Sequence, residues 1–403
     1  MSKEHFTTSN PTVIPLRVEL QDLLRSKILK TVEEILEEEL SAALGCERHE
    51  RTDDRRGYRN GKQVRRITTE VGPVTLRVPR GRIEHTDGST GEFESHVVPR
   101  YARRTRRVDE AILGIYLAGA NTRRIRKALQ PLLGKEQLSK SAISRVVTRL
   151  KDHFRQWEER DLSQERYPIL YLDALNLKVR LARRVVSVPV LAALGVTPDG
   201  QKQLVALRLA VSEASACWGS LIGSLQKRGL PDPLILITDG HAGLRKACTT
   251  WSSPKTQRCT VHKLQNLLEH CPVHARPEMK RDYVKITDAK DGLAAREGYD
   301  AFLEKWRVLC SPVARSLEEA GTDLLTFYEF PKAMWKSLRS TNSLENLNRE
   351  FRRRTKTQGS FSTESAALTL LYALVAFGQI RLRKIDGYKA MSGLMQESWT
   401  SAA

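Results

Sequence analysis

Three carboxylates could do chemistry together, and one of them, Asp173, sits where an acid is hard to explain by folding alone. Asp173 lies in Tyr171-Leu172-Asp173-Ala174-Leu175, in the middle of an otherwise apolar run. An ionised carboxylate there is costly unless it binds a cation or partners a base. Asp239 ends a second apolar run, Leu236-Ile237-Thr238-Asp239-Gly240-His241. Ligands of α/β sheets gather at the carboxyl ends of strands, and Gly240 permits a sharp turn there. If the two runs are adjacent strands, the acids face one another at the sheet edge, and such close like charges call for metal between them. Taken alone, Asp239 also suits a turn or a helix N-cap.

Glu345 belongs to a helix entered through Ser340 and Thr341, residue types that cap helix starts. Leu344, Leu347 and Phe351 form its buried stripe, leaving Asn342, Glu345 and Arg349 on a second face. A glutamate early in a helix is ordinarily only a favourable partner of the helix dipole. Beyond it, Arg349, Arg352, Arg353, Arg354 and Lys356 make a basic run. Standing one to three turns past the acid, the run reads as a phosphate clamp rather than a solvated face.

Cys259 and His262, taken with His270, Cys271 and His274, raise the question of zinc. The spacing C-x2-H-x7-H-C-x2-H matches no common zinc pattern, which weighs against a zinc site. His241 reads as a helix-capping neighbour before it reads as a general base. Trp218, Trp306 and Trp335 are expected in the core.

The elements that must position these residues follow from periodicity. Residues 16–44 form an amphipathic helix with apolar residues three and four apart, and Glu37-Glu38-Glu39 is its expected solvated face. Residues 64–70 and 74–78 alternate apolar and polar around Gly72-Pro73, which predicts a hairpin. Helices are expected at 122–133 and 139–150, joined by a turn near Gly134, with Ser139 or Ser141 capping the second. Strands follow at 169–179, 185–196 and 203–211, with Thr197-Pro198-Asp199-Gly200 as a turn. Then come a helix at 214–228, a strand at 234–238, a helix at 242–251 and a short strand near 258–261. Residues 262–339 read as helical, and the last helices span 342–354 and 364–383.

Three antiparallel strands running into βαβα is the order of a ribonuclease-H-like fold, in which the first and fourth strands are central neighbours. The chain is therefore expected to be α/β: a ribonuclease-H-like mixed-sheet core with an all-helical insertion, preceded by a helical and small-β DNA-binding region. The expected divisions are a helical region over 1–50 and a basic region over 51–160. The core follows in two parts, 161–262 and 340–403, separated by the insertion over 263–339.

The 403 residues carry 67 Lys plus Arg against 47 Asp plus Glu, a formal charge of +20. Residues 51–150 alone hold 23 basic against 10 acidic side chains, so the excess is a local footprint and points to a polyanion. A merely basic housekeeping protein would not need that concentration. The two helices at 122–133 and 139–150 suggest a helix-turn-helix, with Arg123, Arg124, Lys140, Ser144, Arg145 and Arg149 offered to DNA. Any helical hairpin could show the same pattern. Residues 1–12 are polar, and the longest apolar stretch, 366–380, falls short of the roughly 20 residues that span a bilayer. Six scattered cysteines without a C-x-x-C pair fit a reduced, cytoplasmic protein.

The order Asp173, Asp239, Glu345 resembles the DDE transposases of bacterial insertion sequences, and the local strings resemble the Mutator-type group. Those strings are Gly57-Tyr58-Arg59-Asn60-Gly61, Tyr171-Leu172-Asp173, Thr238 through Leu244, Cys259-Thr260-Val261-His262, and Ser340-Thr341-Asn342 through Asn348-Arg349. The resemblance implies that Asp173, Asp239 and Glu345 are catalytic metal ligands, with His241, Cys259, His262 and Asn342 in support. It implies two Mg²⁺ ions, replaceable by Mn²⁺, suited to hard oxygen ligands. The implied partners are double-stranded DNA, both element ends and target, and further copies of the chain, at least a dimer on DNA. No membrane is implied, and the site of action is the cytoplasm, at the nucleoid. The competing readings are a DNA-binding protein without catalysis and a nuclease that cuts without joining.

Overall fold

The structure, a computed structural model, describes residues 13–85, 88–120, 122–133, 139–181, 184–251, 253–356, 361 and 363–391. The chain divides into two compact units, residues 1–147 and 148–403.

In the first unit, helix α1 (Val13–Leu44) lies on a three-stranded antiparallel sheet of β1 (Gly57–Thr69), β2 (Gly72–Glu84) and β3 (Thr90–Glu92), in that order. Alternation puts Ile67, Val74, Leu76 and Val78 on one face, where Leu36 meets them. The expected stripe of α1 is only partly used. Leu36, Leu40 and Leu44 are buried, whereas Leu20, Leu23, Leu24, Ile28 and Ile35 are exposed.

Of its acidic run only Glu38 is exposed: Glu37 pairs with Arg59 and Lys62, and Glu39 accepts from the Ser95 hydroxyl and the His96 N–H. Those acids offset the local excess of cations, which is why they face the sheet. The hairpin turn falls on Glu70 and Val71 and not on Gly72-Pro73. Thr69 Oγ1 donates to the Gly72 carbonyl and accepts from the Val71 N–H, closing the turn one step earlier.

Helices α2 (Arg106–Leu117) and α3 (Thr122–Leu133) share an apolar cluster with the start of α4 (Lys140–Glu159): Val108, Ile112, Ile125, Leu129, Ala142, Ile143 and Val146. Ser139 Oγ accepts from the Ala142 N–H and so caps α4 as expected. The expected turn at Gly134 and the Lys140 side chain lie outside the described residues. Helix α4 continues past the expected end at Leu150, because Phe154 and Trp157 pack against the ring of Tyr372.

The second unit is built on five strands, β4 (Ile169–Leu181), β5 (Arg184–Val196), β6 (Lys202–Leu209), β7 (Ile235–Thr238) and β8 (Lys255–Arg258). Their order is β6-β5-β4-β7-β8, antiparallel through the first three and parallel through the last two pairings. Strands β4 and β7 are thus central neighbours, as the sequence order requires. Helices α5 (Ser215–Lys227) and α6 (Ala242–Cys248) cover one face, with Trp218, Leu221, Ile222 and Leu244 on Leu170, Leu172, Leu191 and Ala193.

Strand β8 ends at Arg258, not near Val261. Its partner β7 stops at Thr238, whose carbonyl takes the Cys259 N–H, and helix α7 (Thr260–His270) starts at once. Helices α8 (Arg276–Thr287), α9 (Gly292–Leu309), α10 (Ser311–Ala320) and the short α11 (Trp335–Leu338) follow, with no strand among the described residues of 260–339. Met279, Tyr283, Phe302, Trp306 and Leu317 give α7–α10 a core of their own. Helix α12 (Asn342–Thr355) packs on β4, and α13 (Glu364–Ala376) is largely buried. The last helix stops well short of Arg383, since Gly378 turns the chain at φ +68°. Among the described residues no helix is long and apolar enough to cross a membrane.

Candidate active site

The parallel register of β4 and β7 ends at Leu172 opposite Thr238. The next residue of each chain is an acid, Asp173 and Asp239, so the two leave the centre of the sheet at one level. Asp173 is still within β4, opposite Ala192, and is 8% exposed. Its Oδ1 accepts from the Ala174 N–H at 2.8 Å and its Oδ2 from Asn348 Nδ2 at 3.0 Å. Asp239 lies just beyond β7 and accepts from the His241 N–H at 2.9 Å. The N-cap of α6 is His241 rather than Asp239: the exposed imidazole accepts from the Gly243 N–H through Nδ1 at 3.3 Å. Gly240 takes φ +84°, and a Cβ there would overlap the Arg258 side chain.

Glu345 stands on the first turn of α12, whose Leu344, Leu347 and Phe351 are buried. Thr341 holds the N-cap position but makes no capping bond with its side chain. Its hydroxyl instead donates to Glu345 Oε1 at 2.9 Å and lies 3.4 Å from both Cys259 Sγ and His262 Nδ1. Its N–H also reaches Cys259 Sγ at 3.4 Å, and His262 Nε2 is 3.8 Å from Glu345 Oε1.

Cys259, His262 and Glu345 therefore bring ligand atoms within 4.8 Å of one another, the only such group of three metal-capable residues among those described. Asp173 and Asp239 lie outside that group, and so do His270, Cys271 and His274. The five-residue zinc cluster is not assembled.

Burial first, and then the charge of Asp239, pushes the Asp173 carboxyl up to about 7, with Glu345 adding to the rise. The hydrogen bond with Cys259 lifts His262 to about 9, and Glu345 and Asp173 act in the same direction. Burial pushes the Cys259 thiol up, but the bonds from His262 and Thr341 outweigh it and the net shift is downward. Carboxylates gathered beside a buried acid have the donor set of a hard divalent cation. The Cys259 sulfur is already occupied by Thr341 and His262.

The remaining expected residues are distributed as follows. Arg349, Arg352, Arg353 and Lys356 are exposed on α12, with Arg349 bonded to Asn346 and Arg353 to Glu350. Asn342 is exposed at the start of that helix. Arg123 and Arg124 on α3 and Ser144 and Arg145 on α4 are exposed in the first unit, and Arg149 is exposed in the second. Trp218 and Trp306 are in the core, while Trp335 is half-buried against Tyr328.

Two groups escaped sequence reasoning. Asn348 is 2% exposed and bonded to Asp173, yet stands beside an apolar stripe where a polar residue was the available signal. Glu319 on α10 gathers Arg245, Arg258 and the fully buried Lys263, from segments too far apart in sequence to be paired by inspection.

A mixed sheet whose two central parallel strands each carry an acid directly after their shared register belongs here to a transposase of the insertion-sequence kind, as the chain's relatives establish. Residues 2–379 match the family described as Transposase, Mutator family, and the chain belongs to that family. It is 34% identical to the transposase for insertion sequence element ISRM5 of Rhizobium meliloti (strain 1021), over 93% of this chain and 92% of that one. The transposase for insertion sequence element IS256 in transposon Tn4001 of Staphylococcus aureus is 30% identical, over 93% of this chain and 95% of its own length. Among solved structures, the Drosophila P element transposase strand transfer complex aligns with 67% of this chain and 91% of that chain, at 11% identity and a TM-score of 0.38, too slight a likeness to carry an argument.

Proposed function

We propose that this transposase binds the terminal inverted repeats of its insertion sequence and cuts and joins DNA strands at a DDE triad of Asp173, Asp239 and Glu345. The observation that carries the reading is the parallel register Leu172–Thr238, which sets two acids side by side, together with the Asn348–Asp173 bond that ties the helix of Glu345 to the same level of β4. The strand order β6-β5-β4-β7-β8 supports a ribonuclease-H-like core, with residues 263–339 as its helical insertion.

Two divalent cations, Mg²⁺ or Mn²⁺, held by the three acids would supply charge to the attacking and leaving oxygens of an in-line phosphodiester displacement. The chain's own groups prepare that place. Asp173 has one donor on each oxygen, which leaves further lone pairs free for cations. Thr341 and His262 hold the Glu345 carboxylate, and Cys259 holds Thr341. Arg349, Arg352, Arg353 and Lys356 offer an exposed basic face on the same helix to the phosphates being cut. Arg123, Arg124, Ser144, Arg145 and Arg149, with Lys140, are the proposed readers of the element end, in a helix-turn-helix of α3 and α4. Pairing two ends calls for at least a dimer on DNA, at the nucleoid in the cytoplasm.

The test is nicking and strand transfer on a labelled duplex taken from the DNA flanking the gene, with Mg²⁺, for wild type, Asp239→Ala and Glu345→Ala. The expected result is loss of both products in each variant with duplex binding retained. Binding without cleavage by wild type, in Mg²⁺ and in Mn²⁺, would favour a DNA-binding protein without catalysis, and cutting without joining would favour a nuclease.

A further inference from the structure

Helix α12 carries a polar residue that the triad does not account for. Asn348 comes one turn after Glu345, next to Leu347, and its side chain is as deeply buried as the apolar stripe. Its Nδ2 donates to Asp173 Oδ2 at 3.0 Å, while its Oδ1 is buried and has no partner among the described residues. A primary amide left half-satisfied in a core costs free energy that a leucine at the same place would not. The fold therefore accounts for the Nδ2 side of the asparagine but not for its Oδ1.

The chemistry of the contact favours an amide. Lysine or arginine in its place would neutralise Asp173 and repel a cation, and an acid would repel the carboxylate itself. A neutral amide is a donor that fixes one carboxylate oxygen while leaving the charge available. The second oxygen is fixed by the Ala174 N–H, so the whole carboxylate plane is set by two donors. The open Oδ1 is an acceptor for a donor that none of the described residues supplies, and a water molecule is of that kind.

We propose that Asn348 is a positioning residue for cation binding: it orients Asp173 and locks the helix bearing Glu345 to the strand bearing Asp173. The inference rests on the reading of Asp173, Asp239 and Glu345 as cation ligands. Outer groups of this kind typically alter metal affinity by about 10- to 100-fold when removed.

The experiment measures Mn²⁺ binding to the full chain by electron paramagnetic resonance, beside thermal melting, for wild type, Asp173→Asn and Asn348→Leu. The expected outcome for Asn348→Leu is a folded protein that binds Mn²⁺ about tenfold or more weakly, whichever way the melting temperature moves. A purely structural asparagine leaves the affinity of the folded variant within about twofold of wild type, and that overturns the proposal. If the leucine variant does not fold, Asn348→Ser is read in its place. Its hydroxyl is too short to span the bond, so the same weakening is expected, and unchanged affinity again overturns the proposal. Equal Mn²⁺ binding by wild type and Asp173→Asn would instead sink the triad reading itself, which separates the two failures.

Discussion

Thr341 donates its hydroxyl to Glu345 Oε1 while its backbone N–H reaches Cys259 Sγ, so one residue at a helix start joins two motifs some 80 positions apart. The capping position is spent on the neighbouring acid and not on the helix backbone. Thr341→Val keeps the shape and removes the hydroxyl. Strand cleavage should fall about 10- to 100-fold, with a stability change near 1 kcal/mol. Cleavage rates within twofold of wild type would mean that Glu345 does not need this bond.

Gly240 turns the chain immediately after Asp239 at φ +84°, against the buried Arg258 side chain. Gly240→Ala adds left-handed strain and displaces Arg258 together. We expect a loss of about 1–3 kcal/mol, and a larger proportional loss of cleavage than of duplex binding, since Asp239 moves with the turn. Chemical denaturation and a binding titration on the same preparation check both. An alanine variant with wild-type stability would show that the turn has room to relax.

Glu319 balances Arg258 and Lys263, whose side chains are 5% and 1% exposed, and also pairs with Arg245. Removing the acid strands two buried cations, whereas removing one cation leaves a partly exposed acid still paired. Glu319→Ala should therefore destabilise by about 3 kcal/mol, and Lys263→Met by clearly less. Urea midpoints rank them, and the reverse ranking would refute the argument.

The pH dependence of stability without divalent cations has a definite sign. Asp173, pushed up to about 7, keeps its proton in the folded chain where the unfolded carboxyl, near 3.8, has lost it. The folded state then binds more protons between about pH 4 and 7, and its stability falls as pH rises across that window, by on the order of 4 kcal/mol from this group. His262, lifted from 6.5 to about 9, acts in the same sense higher up: its contribution is complete below 6.5 and lost as pH passes through 9. Asp173→Asn should flatten the lower window and be the more stable protein at pH 7, and added Mg²⁺ should narrow that gap. Parallel stability curves for the two proteins would contradict the shift.

Much of this protein is determined locally and was legible in the residues. The strands carrying Asp173 and preceding Asp239, the cap at Ser139 and the helix from Asn342 rest on periodicity and on side chains acting within a few positions, while the neighbouring of β4 and β7 was expected from the order of the elements. Asp173 could be singled out because a carboxylate in an apolar run has few inexpensive explanations, whereas Asp239 and Glu345 stood out through the resemblance of their order and surrounding strings to a known family. What sequence could not decide depends on contacts between distant segments. That Glu37 and Glu39 face the sheet, that β8 stops at Arg258, and that Cys259 and His262 join Glu345 and not His270 or Cys271 all follow from which backbone stands opposite. Asn348 is the clearest case. An asparagine in a helix carries no mark of its partner, and only the packing of α12 on β4 turns it toward Asp173 and leaves its other atom without a donor among the described residues.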